Sequence, residues 1–241
     1  VRNIPTDHVY SGGAKWACAA ELHGRVYFSP CLAPCILCLE VSSDCLRAIA
    51  TTNILDLDLP KWYGAASFGE YLFFGPFEAP GILKLHESTL EMELISTENV
   101  DAGNQKWSGA AVDDDCIYFA PFNSSGILEL RVSTTATRSI PTDNVHRGLQ
   151  KWAGGVAVES SVFFAPFDAP CILQLKQQTG VVVGIVANTA TPLFRSFISS
   201  RWAAPPKQQW VGAAAVNGEV HFMPFDSDHI LQLTVGTRTI S

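Results

Sequence analysis

The sequence predicts an all-β chain: a five-bladed β-propeller with four antiparallel strands per blade and about 45 residues per repeat. Three observations carry this. Trp16, Trp62, Trp107 and Trp152 lie 46, 45 and 45 residues apart, and Trp210 follows 58 later. Pro30, Pro76, Pro121, Pro166 and Pro224 each sit 14 residues after their tryptophan, and Ile36, Ile82, Ile127, Ile172 and Ile230 each sit six after their proline. No segment keeps a 3.6-residue apolar period, so helices should be few. Self-similarity at this period marks a repeat architecture.

Each unit supplies its own strands. In the fourth, Trp152 to Val158 is small and apolar and suits a tightly packed inner strand. Val162 to Ala165 is β-branched and aromatic, and Pro166 ends it. Asp168-Ala169-Pro170 turns the chain, Ile172, Leu173 and Leu175 form a third strand, and Val181 to Ile185 a fourth. The third unit repeats the pattern and ends in Thr137-Arg138-Ser139-Ile140. The units fall near 15–60, 61–105, 106–150, 151–187 and 209–241 of one domain, with an insertion at 188–208. A stacked solenoid is the competing geometry, but it caps its ends with polar repeats, and these terminal units are not polar caps. Val1-Arg2-Asn3-Ile4-Pro5-Thr6-Asp7 matches Thr137–Asp143, so residues 1–7 are expected to close the ring beside the last unit. Thr237–Ile240 competes for the same place, and a longer parent with more units is the other alternative.

The unit KWxGAAxxxxxxYFxPFxxxxILxL resembles the Lys-Trp propeller repeats of algal and protist proteins, which are loosely kelch-like. The resemblance covers nearly the whole chain. It implies the fold and very little activity.

Composition narrows the function. Of 241 residues, 47% are hydrophobic and 16% charged, which allows a large core and a surface partly covered by something else. The net charge of −7 and a pI near 5.3 argue against nucleic acid, which needs a basic footprint. The longest apolar run, Val181 to Ala187, is too short to span a bilayer as a helix. A chain opening at Val1 without a leader reads as soluble, either a processed mature chain, organellar or exported, or a trimmed piece.

Several motifs tempt a chemical reading. Cys31-Leu-Ala-Pro-Cys35-Ile-Leu-Cys38 fits the C-x3-C-x2-C pattern of an iron–sulfur site in radical enzymes that use S-adenosylmethionine. In register, however, Cys31 stands where other units carry Phe77, Phe122, Phe167 and Phe225, and Cys35 falls in a small-residue slot, so the segment reads as an ordinary turn and strand. The tryptophans Trp16, Trp62, Trp107, Trp152 and Trp210 read as wedges between blades, with a ring of sugar platforms as the sharper alternative. Lys15, Lys61, Lys106 and Lys151 precede four of them and are a candidate anion or ligand face; contact with the acidic turns at Glu78, Asp168 and Asp226 is the plainer reading. The six histidines share no repeat position, and no pair has zinc spacing. No metal, no cofactor and no catalytic constellation is expected.

The insertion breaks the pattern. It holds Phe194, Phe197, Trp202 and the pair Pro205-Pro206, and aromatics on a loop point to a partner. The sequence therefore predicts a non-catalytic protein-binding scaffold or accessory subunit, with a protein partner and a place in a large multi-subunit complex. The alternative is a lectin-like propeller with one small-molecule site, such as for carbohydrate, per blade.

Overall fold

The computed structural model describes residues 1–186, 208–236 and 239–240. The fold is a five-bladed β-propeller of five four-stranded antiparallel sheets, without helices among the described residues. Blade one holds β1 (Trp16–Leu22), β2 (Arg25–Pro30), β3 (Cys35–Glu40) and β4 (Cys45–Ala50). Blade two holds β5 (Trp62–Phe68), β6 (Tyr71–Pro76), β7 (Gly81–His86) and β8 (Met92–Ser96). Blade three holds β9 (Trp107–Asp113), β10 (Cys116–Pro121), β11 (Gly126–Arg131) and β12 (Ala136–Pro141). Blade four holds β13 (Trp152–Val158), β14 (Ser161–Pro166), β15 (Ile172–Lys176) and β16 (Val181–Ile185). Blade five holds β17 (Trp210–Val216), β18 (Glu219–Pro224), β19 (Leu231–Thr234) and β20 (Thr239–Ile240). The chain forms two compact units, Val1–Gly109 and Ala110–Ser241.

The fixed sequence spacings are hairpin registers. Trp16 faces Pro30, Trp62 faces Pro76, Trp152 faces Pro166 and Trp210 faces Pro224. Ile36 faces Ile49, Ile82 faces Ile95, Ile127 faces Ile140 and Ile172 faces Ile185. A one-residue slip would turn every buried side chain outward, so the spacing cannot drift. Strands β1, β5, β13 and β17 carry an irregularity just after their tryptophans, as between Trp152 and Gly155. There Gly154 adopts φ +73°, and a Cβ on it would meet Gly212 Cα at 2.3 Å. Only glycine permits both the bulge and the approach of the next blade.

Within the first unit, Trp62 packs with Tyr27, Ile36, Ile49 and Phe74 from blades one and two. Within the second, Trp152 joins Tyr118, Ile127, Ile140 and Phe164 from blades three and four, and Trp210 joins Phe163 and Ile172 of blade four. The indole N–H groups donate into their own blades: Trp62 to Gly81 O at 3.0 Å, Trp152 to Cys171 O at 2.8 Å and Trp210 to His229 O at 3.0 Å.

One expectation is corrected. Residues 1–7 belong to no sheet, and blade five takes its fourth strand from β20, where Ile240 faces Leu233 and Thr239 faces Thr234. The likeness of residues 1–7 to 137–143 resides in its turn half. Thr6 O accepts the N–H of Val9 and Tyr10, as Thr142 O accepts those of Val145 and His146. Thr51 and Thr97 repeat that turn and add a hydroxyl donated to Pro34 O and Pro80 O, as Thr142 donates to Ser125 O at 3.0 Å. This buried threonine is a repeat position that the sequence reading passed over, although it stands two residues after an outer-strand isoleucine each time.

Candidate functional site

The joints between blades follow one plan. The residue before each of four tryptophans donates its N–H to the residue after the previous blade's proline: Lys61 to Cys31 O, Lys106 to Phe77 O, Lys151 to Phe122 O and Gln209 to Phe167 O, at 2.9–3.1 Å. One position earlier the backbone is left-handed at Gln105, Gln150 and Gln208. That turn aims Gln150 N–H at Asn123 Oδ1 (2.8 Å) and Gln208 N–H at Asp168 Oδ1 (2.6 Å). The lysines complete the joint. Lys61 Nζ donates to Leu32 O and Leu57 O, Lys106 Nζ to Phe77 O and Gly103 O, and Lys151 Nζ to Phe122 O, Ser124 O and Gly148 O. Burial holds the Lys61 and Lys106 pKa values below the usual lysine range, against the pull of Asp58 and Glu78 respectively.

These three ammonium groups are buried and their protons are directed at carbonyls, so they offer no open face to an anion. Turn acids such as Glu78 act on them through the field rather than as the direct contact expected from sequence. Lys15 differs: it is half-buried, reaches Thr6 Oγ1 at 3.3 Å and lies 5.6 Å from the Trp16 ring centre. Trp62, Trp107, Trp152 and Trp210 are buried and Trp16 is half-buried, so the first four present no ring face on which a sugar could stack. Phe194, Phe197, Trp202, Pro205 and Pro206 lie outside the described residues.

A polar cluster between blades one and two was not legible in the repeat. Glu87 is buried and accepts from the Arg25 guanidinium and from Tyr27 Oη at 3.0 Å, while Arg25 also holds Glu40 at 2.7 Å. His23 Nδ1 stands 3.7 Å from Glu87 and its Nε2 3.9 Å from Glu70. Burial pushes the Glu87 carboxyl up, but hydrogen bonds from Tyr27 and Arg25 outweigh it and leave its pKa below the usual range. The cleft outside, about 500 Å³, adds Cys38, Cys45, Arg47 and Ser88. Donor atoms of His23, Glu70 and Glu87 lie within 4.8 Å of one another, with His23 and Glu70 exposed and Glu87 buried. A cation there would share Glu87 with a guanidinium and lose by repulsion what it gained in ligation. The cluster is a satisfied inter-blade ion pair. The signal that could have found it is Glu87 itself, since the same register holds Val41, Val132, Gln177 and Val235.

The seven cysteines are free thiols. Cys35 and Cys38 lie three apart on β3, on opposite faces of a strand, so they cannot close on one cluster. Burial pushes the Cys171 thiol up to about 11, and burial with Cys31 nearby does the same for Cys18. Neither suits a nucleophile.

Among the described residues, blade five exposes apolar repeat positions that the other blades bury. Ile36, Ile82, Ile127 and Ile172 are buried at 0–1%, but their counterpart Ile230 is 63% exposed. Phe77, Phe122 and Phe167 are buried, whereas Phe225 is 57% exposed. Met223, at 56%, stands where Ser29, Ala120 and Ala165 are fully buried. With Gly212, Ala214, Phe222 and Pro224, these side chains line an apolar groove of about 450 Å³. A hint was present in the sequence: Met223 occupies a slot held elsewhere by Ser29, Gly75, Ala120 and Ala165.

No family model matches the chain, and no curated protein matches it either. Solved structures do. Virginiamycin B lyase from Staphylococcus aureus matches with a TM-score of 0.73 at 14% identity, over 96% of this chain and 70% of that one. The extracellular domain of a hybrid two-component system from B. thetaiotaomicron matches at 0.65 and 11%, over 96% and 28%. A chain of the nidogen/laminin complex matches at 0.63 and 12%, over 91% and 74%. At such identities the likeness is one of fold, and it places the chain among β-propellers. Among the described residues, no helix is long and apolar enough to cross a membrane.

Proposed function

We propose that this chain is a non-catalytic protein-binding propeller, a scaffold or accessory subunit of a larger assembly. The observation that carries this is the open face of blade five, where Met223, Phe225 and Ile230 expose positions that the repeat otherwise buries. A contiguous apolar groove on a sheet face is what a protein partner covers. The repeated lysines and most of the repeated tryptophans are spent inside the joints, which leaves little for a small-molecule site in every blade. The nidogen/laminin match adds a related fold in a protein–protein complex.

The insertion belongs to the same reading as a second docking element, on the strength of Phe194, Phe197, Trp202 and the stiffening Pro205-Pro206. The test is cross-linking of the chain in extract of its native source, with mass spectrometry of the adducts, for wild type, Ile230→Glu, and a variant with Phe194, Phe197 and Trp202 replaced by serine. A partner lost in either variant, with the fold retained, supports docking. Sugar binding on a glycan array with no protein adduct would overturn it.

A further inference from the structure

We propose that the cleft between blades four and five is a single binding site for a neutral polyhydroxyl compound, a sugar or sugar alcohol, held through the Gln174 amide. The site goes beyond the docking reading and uses none of the residues on which that reading rests.

One repeat position leads to it. Counted from each tryptophan, Cys38, Lys84, Glu129 and Gln174 occupy the same place on the third strand of their blades, and Arg47, Glu93, Arg138 and Val183 face them across the ladder. In blades two and three the pair is ionic: Lys84 Nζ lies 3.1 Å from Glu93, and Arg138 holds the buried Glu129 with two bonds of 2.7 Å. Blade four keeps a polar residue on the third strand but sets valine opposite it, and Val183 can neither donate nor accept. Gln174 is 4% exposed. Its Nε2 donates to Ser161 Oγ at 3.0 Å, and its buried Oε1 has no hydrogen-bond partner among the described residues. Turning the amide over would exchange its ends without removing the shortfall, since Ser161 Oγ serves one end at a time. A buried amide end left unpaired is costly, and proteins keep few of them.

This amide borders a cavity of about 350 Å³, lined by Glu159, Ser161, Lys176 and Gln178 of blade four and Val235 of blade five. That lies within the range of ligand clefts, which begins at about 300 Å³. The cavity is the counterpart of the Arg25–Glu87 cleft between blades one and two, without its ion pair: Ser161 stands in the register of Arg25, and Val235 in that of Glu87. It opens at the end of the strands where β13 turns into β14 and β15 into β16. Strands β16 and β20 both run away from that end, and every lining residue belongs to the second compact unit.

The lining selects the ligand. Lys176 and Glu159 bring one charge of each sign, so the balance favours neither an anion nor a cation. A hydroxyl both donates and accepts, and so meets the amide in either orientation. Further hydroxyls suit Ser161, Glu159 and Lys176. No aromatic ring lines the cleft, so recognition rests on hydrogen bonds. The site is also confined to one cleft, because blades two and three complete the same position with their own ion pairs.

The experiment is saturation-transfer NMR of the full chain with free glucose, galactose, mannose, N-acetylglucosamine, sorbitol and myo-inositol, followed by titration of any that binds. Wild type should receive at least one of them. Gln174→Leu should weaken that binding at least tenfold and melt no lower than wild type, because it removes the unpaired amide. Gln174→Glu combined with Val183→Arg transplants the blade-three pair; it should fold and show no binding. A methyl glycoside that binds as well as the free sugar would place the ligand on a glycan, and binding of the free sugar alone would make it a small metabolite; either supports the site.

A panel that is silent throughout overturns the proposal, and the amide then meets water only. So does binding that survives Gln174→Leu or the double substitution. Should Gln174→Leu fail to fold, the double variant decides. If the panel is silent yet Ile230→Glu abolishes cross-linking to a protein, this site falls and the docking reading survives.

Discussion

Blades four and five are built on one sequence pattern and differ in what lies against them. On blade four, Ala165, Phe167 and Ile172 are closed over by the strand that starts at Trp210, with Gln209 N–H on Phe167 O and glycine against glycine. On blade five, the corresponding Met223, Phe225 and Ile230 are more than half exposed. The hydrogen bonds within each sheet are alike, since strands pair inside the blade in both. Folding a blade and covering it are thus separate events here, and the repeat specifies the first more completely than the second.

The comparison can be pressed hardest at the wedge. Trp152 is fully buried between blades three and four, so Trp152→Ala should lower stability by about 3–5 kcal/mol in chemical denaturation. A loss under about 1 kcal/mol would mean that the joints contribute far less than their burial indicates.

Next comes the matched pair. Ile172→Ala removes a buried side chain and should cost about 2–5 kcal/mol. Ile230→Ala, at the same register of the next blade, should fall within about 0.5 kcal/mol of wild type in dilute solution, as an exposed position does. Equal costs at the two sites would erase the distinction between the blades.

The joint between blades one and two offers a pH-dependent version. Glu87 has its pKa held below the ordinary value of 4.5, so the stability it contributes is present above that pH and is lost as pH falls through the lowered value. Glu87→Gln should cost about 1–3 kcal/mol at neutral pH. Its deficit relative to wild type should shrink on acidification below pH 4.5, which melting curves across the acid range would follow. A deficit that stays constant down to strong acid would show that the carboxylate charge is irrelevant to the joint.

The smallest effect concerns the turn threonine. Thr142→Val keeps the shape and removes one hydroxyl donor to Ser125 O, a carbonyl that also accepts the Thr142 N–H. The expected loss is about 0.5–1.5 kcal/mol by thermal denaturation. A larger loss would make this turn, rather than the wedge, the organising contact.

Much of the fold was legible because it depends on local pairing. Trp152, Pro166, Ile172 and Ile185 are fixed by hairpin registers, and a sequence records registers as constant spacings. The joints were legible only in part. Lysine next to tryptophan reads as an exposed charge, and its burial depends on carbonyls such as Ser124 O that no side-chain pattern encodes. The likeness of residues 1–7 to an outer strand misled for a related reason, since turn and strand share those residues and only the turn half recurs. Glu87 and Met223 were visible as departures from the register, but what each departure does depends on its neighbours: Arg25 and Tyr27 for the one, the space beside Gly212 for the other.

The chain offers its own probe of the open face, because it has two methionines and they sit in contrasting places. Met223 is 56% exposed, whereas Met92 is half-buried against the core of the first unit. Oxidative footprinting of the dilute, folded chain, read as the rate of sulfoxide formation at each site, reports directly on whether blade five is covered. The open-face account predicts that Met223 oxidises clearly faster than Met92 and is protected once a partner is bound. If Met223 oxidises more slowly than Met92 in the dilute chain alone, the face is already closed, and the docking reading built on it is wrong.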